Sequence, residues 1–137
     1  MMDVIEALIG FLKADAGVAA LASTRIYGAV LQRDEIKQMP RKTAVLRYAG
    51  GIEHNRFSPI AEPRVDIWSY GETDYEAGRL DRAIYDALKG LDRKTTNNTL
   101  LHGVALSGGP LMMHDSETEW PARVRSVTVY ADERSTV

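Results

Sequence analysis

Three histidines, His54, His102 and His114, are the residues of this chain best suited to proton transfer or metal ligation. None belongs to an H-x-x-x-H or H-E-x-x-H pair, the spacing that sets two imidazoles on one metal. His102 falls within an apolar stretch and His114 ends it, so the two could approach one another, but separate polar side chains account for both. Asp115, Glu117 and Glu119 alternate in a turn, where oxygen ligands could hold a hard cation. The turn lacks the spacing and the glycine of a calcium loop, and a solvated hairpin tip explains it. Glu72, Asp74 and Glu76 gather where a helix should start, and negative charge there stabilises the helix by ~0.3–1 kcal/mol. There is no G-x-S-x-G, no G-x-x-x-x-G-K-[ST] and no G-x-G-x-x-G, and the pairs Gly50-Gly51 and Gly108-Gly109 read as turns. Asn97-Asn98-Thr99 matches a glycosylation sequon and Ser135-Thr136-Val137 a strand-adding peptide end; chance explains each. With no cysteine, disulfides, zinc–thiolate sites and thiol catalysis are excluded.

The elements that must position these residues follow from period and punctuation. In 3–14, Val4, Ile5, Leu8, Phe11 and Leu12 have helical spacing, with Asp3 and Glu6 forming a capping-box-like pair. Asp15 offers a second cap before an alanine-rich short helix that ends near Ser23. Residues 25–41 are polar and irregular, with one apolar cluster at Ile26, Tyr27, Val30 and Leu31. Residues 43–49 read as a strand ending at Gly50-Gly51, and 64–70 alternate Val65, Ile67 and Ser69 against Asp66, Trp68 and Tyr70. Thr73 and Glu76 form a T-x-x-E box opening a helix whose apolar face includes Leu80, Ile84, Leu88 and Leu91, with Gly90 near its end. Residues 93–99 read as a loop. Leu100 to His114 is a strand that Gly108-Gly109-Pro110 interrupts with a bulge or bend, and 123–131 is a β-branched strand.

The expected fold is therefore α+β, in the order α-α-β-β-α-β-β. It has a four-stranded, mostly antiparallel sheet with helices packed on one face. The 137 residues suit one domain, with 132–137 a frayed tail. An apolar fraction of 45% and a charged fraction of 26% are those of a soluble globular protein. A formal net charge of −2 argues against a protein that wraps nucleic acid. No run approaches the ~20 apolar residues of a membrane span, and Met1-Met2-Asp3 does not open a signal peptide.

The stretch 51–62 is too long for an ordinary hairpin loop. It mixes Arg56 with Ile52, Phe57 and Ile60, apolar groups that need burial on the parent domain or against a partner. Trp68 and Trp120 raise the same question, although tryptophan is mostly buried.

Several stretches taken in order resemble a known family. D-V-I-E-A-L-I-G-F-L-K-A-D-A-G-V-A-A-L (3–21) runs into R-I-Y-G (25–28). R-V-D-I-W-S-Y (64–70) and D-Y-E-A-G-R-L-D-R-A-I-Y-D-A-L (74–88) follow, and L-M-M-H-D-S-E-T-E-W-P-A-R-V-R-S-V-T-V-Y (111–130) closes the pattern. Over roughly residues 3–131 the chain resembles the small tail-completion, or tail-terminator, proteins of long-tailed bacteriophages. The resemblance implies a structural role without reaction or cofactor. Such proteins form a ring, usually of six subunits, that caps the tail tube and joins the tail to the head connector or neck. The implied partners are further copies of the chain, the tail tube protein and the connector, with DNA only as passing cargo and no membrane. The implied location is the virion tail or neck, after assembly in the host cytoplasm. A ring is a closed heterologous assembly, needing unlike patches on each subunit. Ile52, Arg56, Phe57 and Ile60, with Glu117, Glu119 and Trp120 of the later turn, are the expected subunit or tube contacts. The alternatives are a head-side neck or connector-completion protein, and a small-molecule-binding or enzymatic α+β module.

Overall fold

Asp3, Asp15 and Thr73 each stop a free helix N-terminus from going unsatisfied. In the computed structural model, which describes residues 3–29, 33–52, 60–96, 99–106, 111–114 and 119–133, each side chain accepts from the backbone N–H three residues on. They start α1 (Val4–Ala14), α2 (Ala16–Ala22) and α4 (Asp74–Lys89). Ser23 and Gly90 close α2 and α4 as C-caps. A further single turn, α3 (Arg33–Ile36), stands in the stretch read as irregular.

Seven strands form one mixed sheet: β1 (Ile26–Gly28), β2 (Thr43–Ile52), β3 (Glu62–Tyr70), β4 (Lys94–Thr96), β5 (Thr99–Leu106), β6 (Leu111–His114) and β7 (Pro121–Glu133). Their order is β1-β2-β3-β7-β5-β4, with β6 also pairing β7. This corrects the four-stranded sheet with helices on one face; the sheet is larger and curls into a half-barrel. Two of the strands arise where no strand period was legible. Ile26–Gly28 pairs with β2 in parallel, and Lys94–Thr96 pairs antiparallel with the start of β5. Leu100 to His114 divides into β5 and β6. Leu106 and Leu111 are five residues apart, yet their partners Val127 and Val124 are three apart on β7. The two strands thus continue one line along β7 with two residues in excess.

Gly50 and Gly51 do not end β2. They take φ of +100° and +92° inside it, and β2 advances three residues from Tyr48 to Gly51 while β3 moves two from Val65 to Pro63. This is a β-bulge, which bends the strand and adds to the curl of the sheet. A Cβ on Gly51 would meet the Glu62 carbonyl oxygen at 2.5 Å, so both the φ and the space require glycine.

The inner face of the sheet carries the main core. Ala44 and Leu46 of β2, Val65 and Ile67 of β3, and Val127, Val129 and Ala131 of β7 pack with Leu8, Leu12, Val18, Leu80, Ile84 and Leu88 from α1, α2 and α4. Arg125 extends from β7 on this side and makes two hydrogen bonds to Asp81 of α4, both side chains buried. α3 lies on the other side of the sheet. Its Glu35 meets Thr43, which shares a face of β2 with Val45 and not with the core residues Ala44 and Leu46.

Candidate functional site

Strand alternation sends every second side chain of β2, β3, β6 and β7 to the outer face, away from α1, α2 and α4. The register aligns these residues into two cross-strand rows. Val45, Trp68, Val124 and Leu111 form one; Thr43, Tyr70, Ala122 and Met113 form the other. Directly opposed residues of antiparallel neighbours lie on the same face with Cβ atoms ~4.5–5.5 Å apart. The rows therefore make one apolar surface across four strands. Val45, Tyr70 and Ala122 are its buried floor, with Met39, Trp68 and Trp120 packed against them. Trp68 stacks at 6.3 Å from Tyr70, and Trp120 meets Tyr70 edge-on at 6.1 Å.

At one end this surface is open to solvent. Leu111 is 64% exposed, Met112 61% and Met113 39%, three consecutive apolar residues on a strand. Leu111 and Met113 share the outer face, while Met112, opposite Arg123, points to the inner side beyond the reach of the core. Among the described residues β6 pairs only with β7, so its outer edge presents backbone donors and acceptors. A short strand with exposed apolar side chains on both faces and a free edge is a template for association.

Polar groups border the patch. The Arg47 guanidinium lies 5.4 Å from the Trp68 ring and donates through Nε to the Ala29 carbonyl at 2.6 Å, fixing the cation beside the aromatic. Ser126 donates to Asp66 on the neighbouring row. Glu35 is buried beside Thr43 and accepts from Arg41, Thr43 and Tyr27. The Arg41 hydrogen bond, foremost, holds the Glu35 carboxyl below its ordinary range despite its burial. Tyr27 is shifted upward, by burial first and then by the Glu35 charge.

The sites expected from sequence divide unevenly. Trp120 belongs to the outer cluster, and Glu119 precedes it, exposed, with a positive φ of 60°. Ile60 is half-buried next to Ala61, which bridges Ala131 at the far end of β7. Ile52 ends β2, but its side chain, like Arg56, Phe57 and Glu117, lies outside the described residues. Leu111, Met113, Arg47 and Met39 were not foreseen as contacts. Only Leu111 and Met113 had a hint, the unbroken L-M-M run, and a buried strand reads the same way.

A groove of about 590 Å³ runs beside the start of α1, lined by Asp3, Ile5, Gly28, Ala29, Arg47 and Tyr48. Its polar groups serve the fold. The Tyr48 hydroxyl accepts from the Val4 N–H at 3.1 Å, while Arg47 holds Ala29. His102 is paired with Asp132 at 3.2 Å, and His114 and the Asp115–Glu117 acids fall outside the described side chains. Among the described residues no three His, Asp or Glu side chains gather as a metal site. No described helix is long and apolar enough to cross a membrane.

The fold has relatives among solved structures. A chain in the virion of a native gene transfer agent particle matches with a TM-score of 0.71 at 19% identity, over 94% of this chain and 94% of that one. The bacteriophage SPP1 gp17 protein matches with a TM-score of 0.53 at 13% identity, over 96% and 90%. No protein-family model matches the chain, and no curated protein matches it. The fold is thus one found in phage and phage-like particles, in line with the phage resemblance of the sequence.

Proposed function

We propose that the chain is a structural tail-completion protein of a phage-like particle, a ring subunit that caps the tail tube and joins the tail to the head connector. The observation that carries this reading is the open outer surface, with exposed Leu111, Met112 and Met113 on a free-edged strand continuous with the Trp68–Tyr70–Trp120 cluster. Aromatic and arginine anchors beside aliphatic groups are the composition of an interface centre. The fold likeness to a virion chain supports a place in a particle. The partners are other copies of the chain, the tube protein and the connector, and the role involves no reaction. Ring closure pairs the β6 end of one subunit with a different patch of the next.

Light scattering on the purified chain, alone and with assembled tail tubes, tests the reading. A discrete ring of about six subunits, or capture at tube ends, supports it. A monomer that ignores tubes but binds the head connector would move the role to the head side of the neck. A chain that binds neither tube nor connector would overturn the assembly reading.

A further inference from the structure

We propose that residues 33–42, which carry α3, form a detachable strap over the outer aromatic cluster, locked by Glu35 and seated by Met39. The segment is held at its β2 end by Lys42, whose carbonyl accepts from Arg25 Nε at 2.9 Å and whose Nζ lies 3.8 Å from Glu76, and it has few attachments before that junction. From Arg33 to Pro40 only Glu35 is buried and only Met39 half-buried; Ile36 stands 46% exposed. The Glu35 carboxylate ties the strap to the sheet by accepting from Thr43 Oγ1 on β2 at 3.1 Å and Tyr27 Oη on β1 at 3.3 Å. Arg41 closes on the same carboxylate from within the segment. Met39 supplies the apolar seat, against the Val45, Tyr70 and Ala122 cluster. The backbone bonds Gln38 N–H to Glu35 C=O and Met39 N–H to Ile36 C=O stay inside the segment. A helix of one turn adds little hold of its own, since isolated helices shorter than ~12–15 residues are marginal in water.

The sheet behind the strap is independently built. Val45 and Tyr70 are paired into β2 and β3, and the main core lies on the opposite face. The strap can therefore leave without unfolding the molecule, and segments with few buried contacts open at the low end of the stability range. Its departure removes Met39 from Val45 and Tyr70, now 0% and 3% exposed, in the same rows as Leu111 and Met113. The inference rests on the assembly reading for its purpose: a partner docking on the outer face gains apolar area by displacing the strap.

Hydrogen exchange on the dilute wild-type chain, Glu35→Gln and Met39→Ala tests the device. Amides of 33–42 should exchange by local opening, well ahead of β3 and α4. In Glu35→Gln they should speed up at least about tenfold and still exchange well ahead of β3 and α4. Wild-type 33–42 amides that exchange only at the rate of β3 would overturn the strap, as would folded variants with unaltered exchange. If Glu35→Gln does not fold, the wild type and Met39→Ala still decide. Because the measurement needs no partner, a fixed strap with normal assembly removes only the strap. An opening strap in a chain that never assembles removes only its assigned purpose.

Discussion

Trp68 and Leu111 flank Val124 from its two sides, one through the β3–β7 pairing and the other through the β6–β7 pairing. This alignment joins a half-buried aromatic to a 64% exposed aliphatic side chain and makes the outer face of the sheet one surface. Everything assigned to the protein as an assembly subunit depends on that continuity.

Leu111 and Met113 are expected to matter for association and little for folding. Leu111→Lys with Met113→Lys removes no core contact, and exposed substitutions usually change stability by under about 0.5 kcal/mol. Thermal denaturation should show a melting temperature within a few degrees of wild type. Chemical crosslinking at the same concentration should show the oligomer ladder lost.

The Asp81–Arg125 pair fixes α4 to β7. Both side chains are buried, two hydrogen bonds join them, and the guanidinium lies 4.4 Å from the Tyr85 ring. Asp81→Ala leaves a buried cation unpaired and should cost about 3–5 kcal/mol in urea unfolding. Asp81→Leu with Arg125→Met should cost clearly less than that single change. Equal losses would show that the pair's charge is not the cause.

Glu35 gives the stability a distinct acid dependence. Its folded pKa is depressed, chiefly by the Arg41 hydrogen bond, below the ordinary value of 4.5. The unfolded chain therefore binds this proton at higher pH than the folded chain. The stabilisation is fully present above pH 4.5 and is lost as pH falls through the lower folded value. The gap in urea midpoint between wild type and Glu35→Gln should be constant near neutrality and narrow below pH 4.5. A gap that stays constant into acid would contradict this assignment.

The two bulge glycines should differ. Gly50→Ala meets nothing within 4 Å and suffers only its positive φ, a cost of order 1–3 kcal/mol. Gly51→Ala adds a Cβ 2.5 Å from the Glu62 carbonyl oxygen and 2.6 Å from Arg64 N, so it should be the more damaging of the two. Denaturant midpoints of the two variants, measured side by side, check the order.

Three of the four helices were legible because their signals are local. Asp3, Asp15 and Thr73 announce their caps within three residues, and α1, α2 and α4 begin where those residues stand. The sheet was less so, because pairing is long-range. Ile26–Gly28 is too short to show a period and becomes a strand only by lying parallel to β2. Gly50-Gly51 has the composition of a turn, and only the Tyr48–Val65 and Gly51–Pro63 registers reveal a bulge. For the site, Trp68 and Trp120 stood out by residue type. Leu111–Met113 did not, since apolar residues on a strand read as core until one knows that no described helix covers them. Glu35 hid in a charged stretch, and its burial depends on Thr43, Arg41 and Tyr27 meeting it in space.

The most direct test of the account is sedimentation velocity on wild type and Leu111→Lys/Met113→Lys, each alone and mixed with assembled tail tubes. The account predicts that wild type sediments as a discrete ring or moves with the tubes, while the folded double variant stays a free monomer in both conditions. A double variant that forms rings and joins tubes as wild type does would contradict it, because the outer face at β6 would then take no part in assembly.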